Sequence, residues 1–186
     1  MKSTEEKVIK LNNIDFDLEF IKNKIVIYPT DTIYGIGCYA LNSKLVRRIR
    51  EIKLREQKPF SVIADKNWIR ENCELNHLVE RYLKKFPGKY TIIFKLKNKT
   101  SISHEVNNWK DTIGVRIPKH KITKHLPIPF VTTSVNFAGE KPITRIEDLP
   151  KEIKNKADII IDEGTLDGSP STVIDLSGDK PVILRR

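Results

Sequence analysis

The chain has 186 residues, 39% of them hydrophobic, which suffices for one sizeable core and is short for two, so we expect a single domain over residues 1–186. Thirty-four Lys and Arg against 24 Asp and Glu give a net charge of +10. A positive field of this kind draws phosphates, nucleotides or nucleic acid towards a concave surface. A lysine-rich surface that serves only solubility has the same composition. The two cysteines form no Cys-x-x-Cys pair, so we expect no disulfide framework and a reducing, cytoplasmic location. The amino terminus has no apolar core like that of a signal peptide, and no apolar run is long enough to span a membrane. We therefore expect a soluble protein without a membrane partner.

The first strong pattern is a buried strand followed by a polar loop. Residues 25–28 are apolar, and Pro29 ends the strand because proline donates no hydrogen bond to a ladder. Residues 30–32 then place two hydroxyls and a carboxylate at the carboxyl end of that strand, where open α/β sheets usually bind ligands. Gly35 and Gly37 predict a sharp turn that leaves room for another group to approach closely. An ordinary glycine turn without a binding site explains the same residues.

An amphipathic helix is predicted from Asn42 or Ser43 to about Glu56, because apolar residues recur at helical spacing while cations occupy the other face. Lys53 and Arg55 lie in its last turn, at what we expect to be a solvent-facing helix end. The helix dipole favours cations at that place without any further function. At the mouth of a sheet, the same two side chains would form a phosphate clamp.

Shorter elements follow along the middle of the chain. We expect a strand over residues 60–64, a short helix that begins at Asp65 or Asn67, a helix capped by Asn76, and a strand over residues 90–96. Residues 97–111 are predominantly polar, and this composition predicts a mobile loop.

The strand predicted at residues 112–118 carries a candidate ligand-binding cation. Its alternation places Thr112, Gly114 and Arg116 on one face. A buried arginine needs a carboxylate or water as its partner. Arg116 therefore forms an internal salt bridge or holds a carboxylate of a ligand, and the sequence leaves both possibilities open.

Hydroxyl and amide side chains also stand at the ends of the later strands. A strand over residues 129–134 leads into Thr132, Ser134 and Asn136, and a strand over residues 171–176 starts at Ser171. Such groups are either turn chemistry or hydrogen-bond donors to an anion. The remaining predicted elements are a helix over residues 147–155 and strands over residues 158–162 and 181–184, the last followed by Arg185.

Six motifs occur in a fixed order and cover almost the whole chain. They are Tyr28-Pro-Thr-Asp-Thr-Ile-Tyr-Gly-Ile-Gly37, Lys53-Leu-Arg55, Pro59-Phe-Ser61, Val115-Arg-Ile-Pro118 with His120, Ser134-Val-Asn136 and Ser171-Thr-Val-Ile-Asp175. Together they resemble the YrdC/TsaC family, the L-threonylcarbamoyladenylate synthases of tRNA modification, for which the Lys-x-Arg and Ser-x-Asn motifs are diagnostic.

The resemblance implies an α/β fold, a YrdC-like twisted, mixed, open sheet flanked by helices around a basic concave cavity. It also implies a nucleotidyltransferase that binds ATP, L-threonine and bicarbonate or CO2, with Mg²⁺ held mainly by ATP and not by direct protein ligands. The products would be threonylcarbamoyl-AMP and pyrophosphate, for the N6-threonylcarbamoyladenosine modification of tRNA position 37. The partner would be the downstream tRNA threonylcarbamoyl transferase machinery.

The same resemblance implies roles for ten residues. Carried over by motif, Lys53, Arg55, Ser134 and Asn136 would hold the triphosphate and act in catalysis, and Thr112 and Arg185 would also contact the nucleotide. Thr30, Arg116, Thr132 and Ser171 would fix threonine, with Arg116 binding its carboxylate.

Two other functions fit parts of the sequence. The net charge would suit a non-catalytic RNA-binding module, and weak RNA binding is a further expectation, but the aromatic residues, 8% of the chain, are not interleaved with basic ones as a base-stacking platform requires. The carbamoyl-adenylate module of hydrogenase maturation would share the fold. Its relatives carry acylphosphatase and zinc-finger parts, for which a chain of this length with two cysteines has no room.

Overall fold

The computed structural model describes residues 7–15, 17–54, 57–137 and 139–185. Within these residues the backbone forms one sheet of ten strands and six α-helices. The strands are β1 (Val8–Lys10), β2 (Val26–Tyr28), β3 (Gly35–Gly37), β4 (Ser61–Ile63), β5 (Tyr90–Lys95), β6 (Thr112–Arg116), β7 (Phe130–Ser134), β8 (Ile159–Asp162), β9 (Thr172–Asp175) and β10 (Val182–Arg185). The helices are α1 (Leu18–Ile21), α2 (Ser43–Lys53), α3 (Lys66–Asn72), α4 (His77–Leu83), α5 (His104–Asn107) and α6 (Lys151–Lys156).

The sheet is mixed, and its order is β1-β8-β2-β3-β7-β4-β6-β5-β9-β10. Strands β1 and β2 run parallel to β8, β4 runs parallel to β6, and β5 runs parallel to β9. The remaining pairs are antiparallel. This mixed open sheet with its helices confirms the predicted α/β fold class.

Strand β2 is buried on both faces, as the apolar run at residues 25–28 predicts. Successive side chains of a strand point to opposite faces of the sheet. Ile25 and Ile27 pack into the larger hydrophobic cluster, which includes apolar side chains of α2, α3, α4 and α6. Val26 and Tyr28 pack into a second, smaller cluster. Burial of each large apolar side chain contributes about 1.5–3 kcal/mol, so this strand contributes strongly to both clusters of the core.

The glycine pair that follows β2 forms a strand and not the predicted sharp turn. Gly35 and Gly37 lie in β3, which pairs antiparallel with β2 on one side and with β7 on the other. The prediction of a close approach is confirmed, because a Cβ atom at Gly37 would lie 1.8 Å from the carbonyl oxygen of Val131. Glycine is required here because β3 is pressed against the neighbouring backbone.

Helix α2 begins as predicted and ends earlier than predicted. The side chain of Asn42 accepts a hydrogen bond from the backbone nitrogen of Leu45 and so caps the helix. The apolar stripe faces the core. The helix ends at Lys53, and Leu54 adopts a left-handed conformation with φ of 50°. The predicted end at Glu56 lies outside the described residues.

The polar segment predicted as a mobile loop contains two helical turns. Residues Lys99–Ser101 form a 3-10 turn, and α5 follows. Ile102 and Val106 are buried and anchor the segment to the larger cluster. The polar composition gave a wrong prediction of a mobile loop here, because two buried apolar side chains among many polar ones are enough to fix a short segment.

Other differences concern single elements. Strand β1 and helix α1 were not predicted, because each is three or four residues long and β1 is defined by its pairing with β8. The predicted helix over residues 147–155 divides into a 3-10 turn (Ile146–Asp148) and α6. Cys38 and Cys73 are buried and unpaired, and burial raises the pKa of Cys73 to about 12. None of the helices in the described ranges is long and apolar enough to cross a membrane.

Candidate functional site

A cavity of about 730 Å³ opens beside the strands that run from β7 to β10 in the sheet. Its volume lies within the range of about 300–1,000 Å³ that is usual for small-molecule sites. The polar and charged residues of its wall are Tyr34, Lys58, Ser61, Thr91, Lys110, Thr112, Arg116, Thr132, Thr133, Ser134, Ser171, Asp175 and Arg185. Six of the ten residues implied by the family resemblance lie on this wall, namely Thr112, Arg116, Thr132, Ser134, Ser171 and Arg185.

The register of the sheet explains why these residues meet. Ser61 is paired with Gly114 on one side and with Thr132 on the other, and Thr91 is paired with Arg116. Side chains at paired positions share a face of the sheet. Gly114 leaves room for the side chain of Ser61 in this part of the wall, because a Cβ atom at position 114 would lie 2.5 Å from the hydroxyl oxygen of Ser61.

Arg116 is buried at the end of β6 and forms an internal salt bridge. One terminal nitrogen, Nη2, donates to Oδ1 of Asp31 at 2.6 Å and to the hydroxyl of Thr32 at 2.6 Å. The other oxygen of Asp31 accepts from the backbone nitrogen of Lys119 at 2.9 Å. The Nε atom of Arg116 is buried and has no hydrogen-bond partner among the described residues. The guanidinium is therefore fixed from behind while it lines the cavity, and its contact with a ligand carboxylate stays a prediction.

Lys53 is buried, which contradicts the expected solvent-facing helix end. Its ammonium group donates to the carbonyl oxygens of Ser134 at 2.5 Å and Asn136 at 2.8 Å. The Ser134 hydroxyl in turn donates to Oδ1 of Asn136 at 2.5 Å, and the Asn136 amide donates to two backbone carbonyls. Lys53 thus connects the Lys-x-Arg motif to the Ser-x-Asn motif, because its ammonium group holds the backbone of the turn after β7.

A second hydrogen-bonded group lies at the β5, β9 and β10 side of the wall. The hydroxyls of Thr91 and Ser171 are 2.7 Å apart, and the guanidinium of Arg185 donates to the carbonyl oxygen of Ser171 at 2.9 Å. Partial burial, followed by repulsion from Arg116, lowers the pKa of Arg185 below its ordinary value. Arg116 and Arg185 both line the cavity, and the charge of Arg116 disfavours the charged form of Arg185.

Three of the implied residues do not lie on the cavity wall, and a fourth cannot be placed. The hydroxyl of Thr30 is buried and donates to the carbonyl oxygen of Ile33 at 2.7 Å. Thr30 thus stabilises the loop that carries Asp31 and Thr32. Lys53 and Asn136 lie behind Ser134, as described above. Arg55 lies outside the described residues.

Sequence reasoning missed several wall residues. Lys58 and Lys110 carry positive charge at the wall, and Asp175 carries a carboxylate. Its Oδ1 atom accepts from the backbone nitrogen and the hydroxyl of Ser177. Asp175 and Lys58 stand within or beside the family motifs, which was a usable signal. Lys110 lies in the segment taken for a loop, where no local pattern distinguishes it. The predicted positive potential of the cavity stays a prediction.

Tyr34 completes the wall on the β3 side. Its hydroxyl donates to the carbonyl oxygen of Gly164 at 2.8 Å and lies 3.1 Å from Oδ1 of Asp162. Burial, reinforced by the charge of Asp162, raises the pKa of Tyr34 above its ordinary value. The phenol is thus protonated at neutral pH. Among residues 7–15, 17–54, 57–137 and 139–185, no three His, Cys, Asp or Glu side chains are grouped as a metal site.

Comparisons with a family model, with a named relative and with solved structures point to the same family. The family model described as Sua5_yciO_yrdC, telomere recombination, matches residues 19–186. A Methanocaldococcus jannaschii protein named "Putative threonylcarbamoyl-AMP synthase" is 41% identical over 97% of this chain and 93% of its own length. Pyrococcus abyssi Sua5, solved in complex with L-threonine, has a TM-score of 0.80 at 30% identity and covers 90% of this chain. Escherichia coli YciO has a TM-score of 0.80 at 27% identity, over 91% of this chain and 86% of its own. This chain covers 52% of the Pyrococcus chain, about half its length.

Proposed function

This chain belongs to the Sua5/YciO/YrdC family, and from that premise we propose that it is a threonylcarbamoyl-AMP synthase, an enzyme of the nucleotidyltransferase class. The observation that carries the proposal is the meeting of Arg116, Ser134 and Ser171 on one cavity of small-molecule size. They come from three separate parts of the chain, and each belongs to a motif of the family. The name of the Methanocaldococcus relative, at 41% identity, supports the same activity.

The threonine end of the site is proposed to lie at Arg116. A guanidinium nitrogen makes a strong, charge-assisted hydrogen bond to a carboxylate. Asp31 and Thr32 occupy Nη2 and hold the plane in place, and Nε is buried, so Nη1 is the nitrogen that would donate to the carboxylate of threonine. The hydroxyls of Thr132 and Ser171 lie on the same wall. They would accept hydrogen bonds from the amine of threonine and donate hydrogen bonds to its hydroxyl. Thr30 would act through the loop that carries Asp31.

The nucleotide end is proposed to lie at the turn that follows β7. The hydroxyl of Ser134 faces the cavity, and Lys53 and Asn136 hold the backbone of that turn. Donors fixed before the reaction stabilise charge that develops on a phosphate without reorganising. Thr112 and Arg185 would contact the nucleotide from the other side of the cavity, and Arg55 would add a cation.

The proposed reaction joins both ends of the cavity. The neutral threonine amine adds to CO2 and loses a proton, or condenses with bicarbonate and releases water, and in either case forms a carbamate. A carbamate oxygen then attacks the α-phosphorus of ATP. The new oxygen–phosphorus bond replaces the bond to the β-phosphate, and the electron pair leaves with pyrophosphate. No side chain is required as a nucleophile, so positioning and charge neutralisation supply the catalysis. The product, threonylcarbamoyl-AMP, would pass to the tRNA threonylcarbamoyl transferase machinery of the cytoplasm.

Magnesium is proposed to enter with the phosphates of ATP. Hard oxygen ligands suit Mg²⁺, which commonly binds through substrate phosphates and one or two carboxylates. Asp175 supplies such a carboxylate on the described wall. When bound, the ion would offset charge on the phosphate oxygens. The residues of the wall therefore fit a metal that is carried mainly by the substrate.

The test is incubation with ATP, Mg²⁺, L-threonine and bicarbonate, with each omitted in turn. We expect threonylcarbamoyl-AMP, measured by mass spectrometry, and an equal amount of pyrophosphate, both dependent on all of the substrates. Pyrophosphate release that does not require threonine, or no adenylate at all, would contradict the proposal. None of the relatives named above is described as an RNA-binding protein, so we propose no RNA-binding function.

A further inference from the structure

Two lysines lie on the same cavity wall and belong to no family motif that assigns them a role. Lys58 lies on the loop between α2 and β4, and Lys110 lies between α5 and β6. Both side chains are exposed to solvent and both line the cavity, so they stand at its mouth. Within the described ranges, neither ammonium group has a hydrogen bond or an ion pair with another residue.

The other described cations of the site are held by protein acceptors. Lys53 donates to two backbone carbonyls, Arg116 is paired with Asp31, and Arg185 donates to Ser171. Their charges are partly offset before any ligand arrives. Lys58 and Lys110 therefore carry the charge that is most available to an anion in the described part of the cavity.

Side-chain hydrogen bonds connect the loop that carries Lys58 with the segment that precedes Lys110. The guanidinium of Arg50 donates to the carbonyl oxygen of Lys58 at 3.2 Å and to that of Glu105 at 2.5 and 2.8 Å. The side chain of Asn108 donates to the carbonyl oxygen of Gln57 at 2.6 Å. The bonds from Arg50 to Glu105 and from Asn108 to Gln57 join positions 55 and 51 residues apart in the chain. Together with the bond from Arg50 to Lys58, they fix the backbones of both loops relative to each other.

The loop that carries Lys110 is also fixed from within. The buried amide of Asn107 donates to the carbonyl oxygens of Lys110 at 2.6 Å and Thr112 at 3.2 Å. Asn108 and Trp109 both adopt left-handed conformations, with φ of 54° and 61°. Such conformations are costly for residues with side chains and persist where surrounding contacts enforce them. Asn108 is the left-handed cap that ends α5, and the hydrogen bonds of Asn107 hold the turn that follows it.

We propose that Lys58 and Lys110 together bind the β- and γ-phosphates of the nucleotide, the part that leaves as pyrophosphate. This inference rests on the proposed function. The α-phosphorus must meet the carbamate near Arg116 and Ser134, so the leaving group must extend towards the mouth. Compact ammonium charges that keep contact with water suit a strongly hydrated leaving group and neutralise the charge that grows on it as the bond to the α-phosphorus breaks.

The test compares the double variant K58A/K110A with K84A/K151A, which removes the same number of charges from exposed lysines, one directly after α4 and one at the start of α6. Binding of inorganic pyrophosphate and of ATP is measured by isothermal titration calorimetry, without threonine. An exposed charge contact contributes up to about 1 kcal/mol, which is about fivefold in affinity, so we expect a loss of up to about twenty-five-fold for the double variant. The control variant should bind both ligands within twofold of the wild type. We also expect a weaker salt dependence of binding in K58A/K110A.

A turnover assay separates this inference from the proposed function. The KM for ATP should rise in K58A/K110A, while L-threonine affinity and the melting temperature match those of the control. Unchanged pyrophosphate and ATP affinities would overturn the lysine site even if the protein makes threonylcarbamoyl-AMP. A loss of tRNA affinity alone would overturn it too and assign the pair to RNA. Lost pyrophosphate affinity in a protein that makes no adenylate would support the lysine site and refute the synthase.

Discussion

Replacement of Lys53 by Met tests what the motif lysine does. The sequence alone predicts that its loss abolishes pyrophosphate release and leaves the fold intact. In the structure the ammonium is buried and bonded to the turn after β7. We therefore expect K53M to lower the free energy of unfolding as well as ATP affinity. Met keeps most of the apolar stem, so the variant isolates the loss of the ammonium.

The magnitude follows from the acceptors that lose their donor. The carbonyl oxygens of Ser134 and Asn136 lie 2.5 and 2.8 Å from the ammonium, and Oδ1 of Asn136 lies at 3.4 Å. Each buried acceptor left unsatisfied costs about 1–3 kcal/mol. Relief from burying a charge offsets part of that loss. We expect a net decrease of about 2–3 kcal/mol in the free energy of unfolding.

The assay is equilibrium unfolding in urea, followed by circular dichroism and tryptophan fluorescence, with K84M as the control at an exposed lysine. The control should lie within about 0.5 kcal/mol of the wild type. Calorimetric titration of ATP completes the comparison. If K53M unfolds like the control while ATP affinity is lost, the ammonium binds phosphate directly and the positioning role of Lys53 is refuted.

Three further predictions concern the salt bridges and the sheet. R116K should raise the KM for threonine at least about tenfold, since a charged hydrogen bond contributes about 1.5–3 kcal/mol, and should leave ATP affinity within twofold; equal losses for both ligands would make Arg116 structural. Burial acts to raise the pKa of Asp162, but hydrogen bonds, with that from Lys10 first, outweigh it and hold the pKa below its ordinary value. Ionised Asp162 therefore adds stability above about pH 4, and this is lost as the pH falls through the folded-state pKa. D162N should thus be about 1 kcal/mol less stable than the wild type at pH 7, and urea unfolding at successively lower pH below about pH 4 should show this difference shrinking; a constant difference would contradict the linkage. G37A should lose about 3 kcal/mol or more, because its Cβ would lie 1.8 Å from a carbonyl oxygen of β7, whereas nothing lies within 4 Å of a Cβ at Gly178, so G178A is the matched control in the same denaturation assay.

Local patterns predicted the elements whose stability depends on local chemistry. Asn42, Asp65 and Asn76 each cap a helix, as their position before an apolar stripe indicates. The alternation around Arg116 placed its side chain on the face that lines the cavity. A cap bonds within three residues and an alternation follows from the strand itself, so neither depends on the rest of the fold.

The partners of the site residues could not be predicted in this way. Lys53 is joined to residues more than eighty positions later in the chain, and Arg116 to residues about as far before it. A helix end looks the same in the sequence whether it faces solvent or carbonyl oxygens. For that reason the sequence did not predict the burial of Lys53. The family resemblance implied only that Lys53 and the Ser-x-Asn motif bind the same triphosphate.

The sequence by itself determined the helix caps and the buried apolar strand at residues 25–28, because side-chain period and capping act over a few residues. The α/β class was implied by the resemblance of the ordered motifs to a known family. Only the tertiary structure decided that the glycine pair forms a strand, that the motif lysine is buried, and that Lys58 and Lys110 line the same cavity. These outcomes depend on strand order and on bonds such as those of Arg50, which join distant segments. No local pattern encodes such a meeting, since it arises when the whole core packs.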